Sequence, residues 1–116
     1  VMPAFIAETQ ALLANEYPEF EVIWFGHIGD GNLHINILKP LDLAQDTFVE
    51  ACERVTKQLA QVLKVHGGSI SAEHGIGLVK KPSLSSTRSD AEIAVMRRIK
   101  AALDPNGIMN PGKLFD

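Results

Sequence analysis

The chain has 116 residues, 46% hydrophobic and 22% charged, an ordinary balance for one globular domain with a modest core. The formal net charge is -3, and the basic pairs Lys80-Lys81 and Arg97-Arg98 sit in different segments, which argues against a basic face for nucleic acid. No apolar run approaches transmembrane length, and Cys52, the single cysteine, excludes an internal disulfide.

The chain opens inside a helix-like pattern, which suggests a piece of something longer. Phe5, Ile6, Leu12 and Leu13 lie among alanines and predict a short amphipathic helix, ended by Tyr17-Pro18. Val22 to Phe25 reads as a strand rich in β-branched and aromatic residues. Gly29 to Asn32 is a turn, and its Asp30-Gly31 pair is a strong hairpin signal. Leu33 to Ile37 alternates apolar and polar, with Leu33, Ile35 and Ile37 expected to face the core. Lys39-Pro40 ends this strand.

The next helix runs from about Asp42 or Asp46 to Val65, with Phe48, Cys52, Val55, Leu59 and Val62 as its buried stripe. Cys52 is therefore read as a small core residue rather than a reactive thiol. His66-Gly67-Gly68 stops the helix, and His66 suits the dipole at that end. Ser69 to Pro82 is punctuated by glycine and has no clear period, and Ser83 to Arg88 reads as a mobile polar loop. Ser89-Asp90-Ala91-Glu92 has the form of a capping box. Ile93, Met96, Ile99 and Leu103 are the expected core positions of the helix it starts. Asp104 to Gly107 breaks that helix, and Asn110 to Lys113 reads as a natural end. The order predicts an α+β fold: an antiparallel hairpin in a small sheet covered by helices.

The hairpin relates two histidines. A two-residue turn at Asp30-Gly31 would set His27 opposite His34, with Cβ atoms roughly 4.5–5.5 Å apart. Two imidazoles at that separation can reach one metal ion; the alternative is a pair of polar residues on a solvated face. Asn36 lies on the same face as His34. Glu73, in the second glycine-rich stretch, is the natural candidate for a third ligand, and His74 beside it is a candidate base. Gly75-Ile76-Gly77 lacks the strand-turn-helix context of a phosphate loop.

Three motifs occur in order: Gly26-His27-Ile28-Gly29-Asp30-Gly31-Asn32-Leu33-His34, Ser69-Ile70-Ser71-Ala72-Glu73-His74-Gly75-Ile76-Gly77, and Leu103-Asp104-Pro105-Asn106-Gly107-Ile108-Met109-Asn110-Pro111-Gly112-Lys113. Together they resemble the C-terminal domain of FAD-linked oxidases, in the vanillyl-alcohol-oxidase-like superfamily. Within it they are most similar to D-lactate, D-2-hydroxyglutarate and glycolate dehydrogenases.

That resemblance implies a part of a ferredoxin-like cap domain spanning residues 1–116, with the FAD-binding domain absent. It implies a divalent metal, zinc first among candidates, held by His27, His34 and Glu73. His74 is implied as general base, Asn36 as a substrate contact, and Asn110 and Lys113 as residues near the flavin. The reaction so implied is oxidation of a D-2-hydroxyacid to a 2-oxoacid, with hydride passing to FAD and on to an unspecified electron acceptor. This chain by itself is then expected to be inactive. It is also expected to expose an apolar patch, which a homodimer could cover. Two rival readings are a non-catalytic metal-binding or interaction module, and a metal-free flavin oxidase of another alcohol. The start Val1-Met2-Pro3 resembles no signal peptide, so the expected location is cytoplasmic, with peripheral attachment to the inner membrane as a variant.

Overall fold

Pro3 lies in the first turn of helix α1 (Met2–Glu16), where its missing N–H costs no hydrogen bond. The helix ends at Tyr17, which precedes Pro18 and leaves the helical region at φ -133°. Strands β1 (Glu21–His27) and β2 (Asn32–Leu38) follow as an antiparallel pair. Helix α2 (Gln45–Val65), a short helix α3 (Leu84–Thr87) and helix α4 (Asp90–Leu103) complete the chain. This computed structural model describes residues 1–116. The architecture is the expected α+β class. The βαββαβ order of a ferredoxin-like plan needs more strands than the two that this chain holds. No helix is long and apolar enough to cross a membrane.

The core forms where α1, α2 and the inner face of the hairpin meet. Leu13, Tyr17, Phe20, Ala51 and Val55 are buried there, and Val22, Trp24, Ile35 and Ile37 pack against them from alternate strand positions. Tyr17 and Phe20 stack at 5.7 Å, and Phe48 meets Phe20 edge-on at 5.6 Å. Tyr17 OH donates to Gln58, whose amide donates to Glu16, so the polar rim of the core is bonded across α1 and α2. The stripe of α2 departs from expectation: Ala51 and Ala60 are buried along with Val55 and Val62, and Phe48 and Leu59 are only partly buried. Cys52 is likewise only partly covered. The small Ala51 side chain permits close approach at that point, and burial pushes the Cys52 thiol pKa upward.

The α2 C-terminus is a Schellman motif: Gly68 N donates to Leu63 O at 3.0 Å and Gly67 N to Lys64 O at 3.1 Å. His66 caps it, bonds Glu8 at 2.7 Å and lies edge-on to Phe5, tying the end of α2 to α1. His66 is thus structural, as its position suggested.

Thr9 on α1 is 0% exposed, and its hydroxyl has no partner. A buried hydroxyl without a hydrogen bond is destabilising. Thr9→Val keeps the shape and removes the unpaired oxygen. It is expected to raise stability by about 1 kcal/mol in urea denaturation. A loss of stability would show that the hydroxyl is satisfied in solution.

Two expectations are corrected toward the C-terminus. Ser83 to Arg88 is not an extended polar loop: a 3-10 turn at Lys81–Ser83 runs into α3, and Leu84 is buried at 4% exposure. A single leucine anchors this segment, whose polar composition hid it. The capping box on α4 is present, with Ser89 and Glu92 bonded reciprocally. Yet α4 has no buried residue, and Ile99 and Leu103 are 56% and 76% exposed. Its apolar stripe is real but does not join the core of this chain. Ile23, Phe25, Ile108 and Met109 are exposed as well.

Candidate functional site

The hairpin turn is longer than the sequence suggested. Ile28–Asp30 form a 3-10 turn, and only Gly31 takes a left-handed conformation, at φ 64°. A two-residue type I′ turn would need positive φ at Asp30 as well. The register therefore pairs His27 with Asn32, Gly26 with Leu33 and Phe25 with His34. The expected His27–His34 pairing is corrected: the slip is two residues. An even slip preserves sheet faces, so both histidines still share the outer face, offset along the sheet. His34 now stacks on Phe25, with ring centroids 4.8 Å apart and planes 3° from parallel. That contact and its partial burial fix the imidazole.

The second motif comes back to the same face. His74 N donates to Ser71 O at 2.8 Å, closing a tight turn in which Ala72 adopts φ 46°. A left-handed alanine costs on the order of 1 kcal/mol, and such strain gathers at functional positions. Its effect is to bring consecutive side chains, Glu73 and His74, to His34. Glu73 Oε1 lies 3.3 Å from His34 Nε2 and 3.6 Å from His74 Nε2. The His34 and His74 rings meet edge-on at 5.6 Å. The three donor atoms lie within 4.8 Å of one another, and His27 is outside this group.

Asn32, two residues before His34 on the same face, donates its side-chain amide to Glu73. This bond, then a backbone bond, then the nearby His34 and His74, hold the Glu73 carboxyl down at about 2. Glu73 is thus a carboxylate throughout the physiological range. The other amide atom, Asn32 Oδ1, is buried and has no partner.

These residues suit a divalent first-row metal. Two imidazoles and a carboxylate are its ordinary ligands, and tetrahedral coordination with bonds of about 2.0–2.1 Å sets neighbouring donors about 3.3 Å apart. The His34–Glu73 separation matches this, and the His74–Glu73 separation is close to it. An open cleft of about 530 Å3 begins at this cluster, and Asn32, His34, Asn36, His74 and Lys80 contribute to its walls. Asn36 is thereby placed where the sequence put it, two residues beyond His34 on the outer face.

Asn110 and Lys113 lie elsewhere. The tail folds back on α4, where Lys100 Nζ donates to Asn110 O at 3.3 Å and to Lys113 O at 2.9 Å. Phe115 receives the Arg97 guanidinium at 4.5 Å. Asn110 and Lys113 border a second open cavity of about 660 Å3 with Met96, Ile99 and Leu103. The tail and the second motif are joined by Leu114 N donating to Gly77 O at 2.9 Å. Sequence reasoning overlooked Asn32, and it left Lys80 beside Lys81 and Arg88 as an available cation for a substrate carboxylate, each more often a solvated surface charge. For Asn32 a signal existed, since its spacing to His34 and Asn36 places all three on one face.

The chain is 68% identical over 115 residues to a D-2-hydroxyglutarate dehydrogenase of Xanthomonas citri pv. viticola, covering 99% of this chain and 24% of that protein. It is 53% identical over 114 residues to a D-2-hydroxyglutarate dehydrogenase of Stutzerimonas stutzeri, covering 98% of this chain and 25% of that protein. A putative mitochondrial D-lactate dehydrogenase of Schizosaccharomyces pombe is 46% identical over 99 residues, covering 84% of this chain and 18% of that protein. The chain therefore spans about a quarter of the length of the first two relatives. The sequence model for FAD linked oxidases, C-terminal domain, matches residues 1–114, and the chain belongs to that family.

Proposed function

We propose that this chain is the substrate- and metal-binding part of a flavin-dependent dehydrogenase that oxidises a D-2-hydroxyacid, D-2-hydroxyglutarate first among candidates. The observation that carries the reading is the His34–Glu73–His74 cluster, whose two histidines line a cleft together with Asn36. Relatives named for D-2-hydroxyglutarate and D-lactate support the substrate class.

His34 and Glu73 are the central ligands. Phe25 holds the His34 ring from behind and Asn32 holds the Glu73 carboxylate, so both are positioned before anything binds. His27, two residues beyond Phe25 on the same face, would supply the third ligand. His74, with 64% of its side chain exposed, is then free to accept the hydroxyl proton at Nε2. Asn36 holds the substrate beside it. A divalent metal bound here would lower the hydroxyl pKa and orient the carbon that gives up hydride, and FAD on another domain would accept that hydride. The exposed stripe of α4 and the Asn110–Lys113 tail are the surface that turns toward the flavin-binding domain.

The test is metal analysis of the full-length protein together with turnover of D-2-hydroxyglutarate and D-lactate using a dye acceptor. Stoichiometric metal, lost with turnover in His34→Ala, is expected. A wild-type protein that binds metal but oxidises neither acid would leave a metal-binding module. Turnover without metal in both proteins would point to a metal-free oxidase.

A further inference from the structure

The cleft beside the His34–Glu73–His74 cluster has one lysine or arginine in its walls, Lys80. Nearby cations are engaged elsewhere. Lys81 Nζ donates to Gly112 O at 2.9 Å and pairs with Asp116, and Arg88 donates to Thr87 O at 2.8 Å. Lys80 has neither a hydrogen bond nor an ion pair on its side chain, although it is only partly exposed. Its backbone is anchored on both sides: Lys80 N donates to Ile76 O at 3.3 Å, and Lys80 O accepts from Ser83 N at 3.0 Å. Lys80 is thus held in the cleft wall by its backbone, and its side chain has no counter-ion.

A partly buried cation without a partner is a site for an anion, because the anion restores what desolvation removed. The Glu73 carboxylate, beside His34 and His74, repels any additional carboxylate that is not bound there directly. We propose that Lys80 binds the second carboxylate of a dicarboxylate 2-hydroxyacid and so sets preference for dicarboxylate over monocarboxylate substrates. The inference rests on the reading above only in placing the hydroxyl end of the substrate at His34, Glu73 and His74. A monocarboxylate such as D-lactate has nothing to offer Lys80 and leaves the ammonium unpaired. Lys80 acts by binding and takes no part in proton or hydride transfer.

The experiment compares wild type, Lys80→Met and Lys80→Arg in the full-length protein. Lys80→Met is expected to raise KM for D-2-hydroxyglutarate about 10- to 100-fold, the range for a lost hydrogen bond to a charged group. KM for D-lactate and kcat on both acids should stay within about twofold, the scatter expected where no contact is lost. Lys80→Arg should recover most of the affinity. Equal effects on both acids, or none on either, would overturn the proposal. A second arm does not depend on turnover: isothermal titration with glutarate, which has two carboxylates and no hydroxyl. Binding to wild type and to Lys80→Arg, but not to Lys80→Met, is expected. Equal glutarate binding by wild type and Lys80→Met, or none by wild type, sinks the Lys80 assignment whether or not either hydroxyacid is oxidised. Glutarate binding that depends on Lys80, without oxidation of either acid, keeps it and removes the dehydrogenase reading instead.

Discussion

Replacing His74 by alanine is expected to lower kcat on a D-2-hydroxyacid by about 100- to 10,000-fold in the flavin-loaded full-length protein, the usual contribution of a positioned general base. The imidazole is the more exposed of the two that flank Glu73, at 64% against 20% for His34. It has no ring stacked behind it as His34 has Phe25, so it can follow a proton on the substrate. Glu73, ionised by its bond from Asn32, favours the imidazolium that forms once the proton is taken. Metal affinity separates this role from ligation. His27→Ala and His34→Ala should lose metal, whereas His74→Ala should keep it. The opposite pattern, metal lost with His74 and kept without His27, would make the observed His34–Glu73–His74 group the ligand set and end the assignment of His74 as base.

Gly26→Ala is expected to destabilise the chain by about 1–3 kcal/mol, the cost of overpacking against groups that cannot yield. A Cβ at Gly26 would lie 2.1 Å from Asn32 O and 3.0 Å from Leu33 Cα, both on the facing backbone. The two strands would have to separate where the loop begins. Asn32 would move with that backbone, and Glu73 would lose the amide that holds it. Metal affinity should therefore fall along with stability, although Gly26 is no ligand. Urea denaturation and a metal titration on the same sample check both effects. Unchanged stability would show that the hairpin accommodates the methyl group. Unchanged metal affinity in a destabilised protein would show that Asn32 does not position Glu73.

Much of the fold was legible because its signals are local. The capping box at Ser89 and Glu92, the glycine stop after His66 and the alternation in β2 depend on neighbours within a few residues, and each appears in the structure. The failures were of another kind. Asp30-Gly31 fits a two-residue turn and a longer one equally well, and the choice depends on Asp30 keeping a negative φ. The stripe on α4 announces an amphipathic helix but not what its apolar side meets. Leu84 is a single apolar residue in a polar run, too sparse to give a period, yet it is buried.

For the site, the sequence alone determined which groups are available: His27, His34, Glu73 and His74 in glycine-rich motifs, with Asn36 in step with His34 along a strand. Strand periodicity is enough for that, because alternate residues share a face whatever the register. Only the tertiary structure decided which of them meet. The four-residue loop shifted the hairpin by two positions, moving His34 from opposite His27 to opposite Phe25. The turn through Ala72 and the amide of Asn32 then brought Glu73 to His34 across 38 residues of intervening sequence. Contacts of that separation are made by the packing of the whole chain, and no local pattern encodes them.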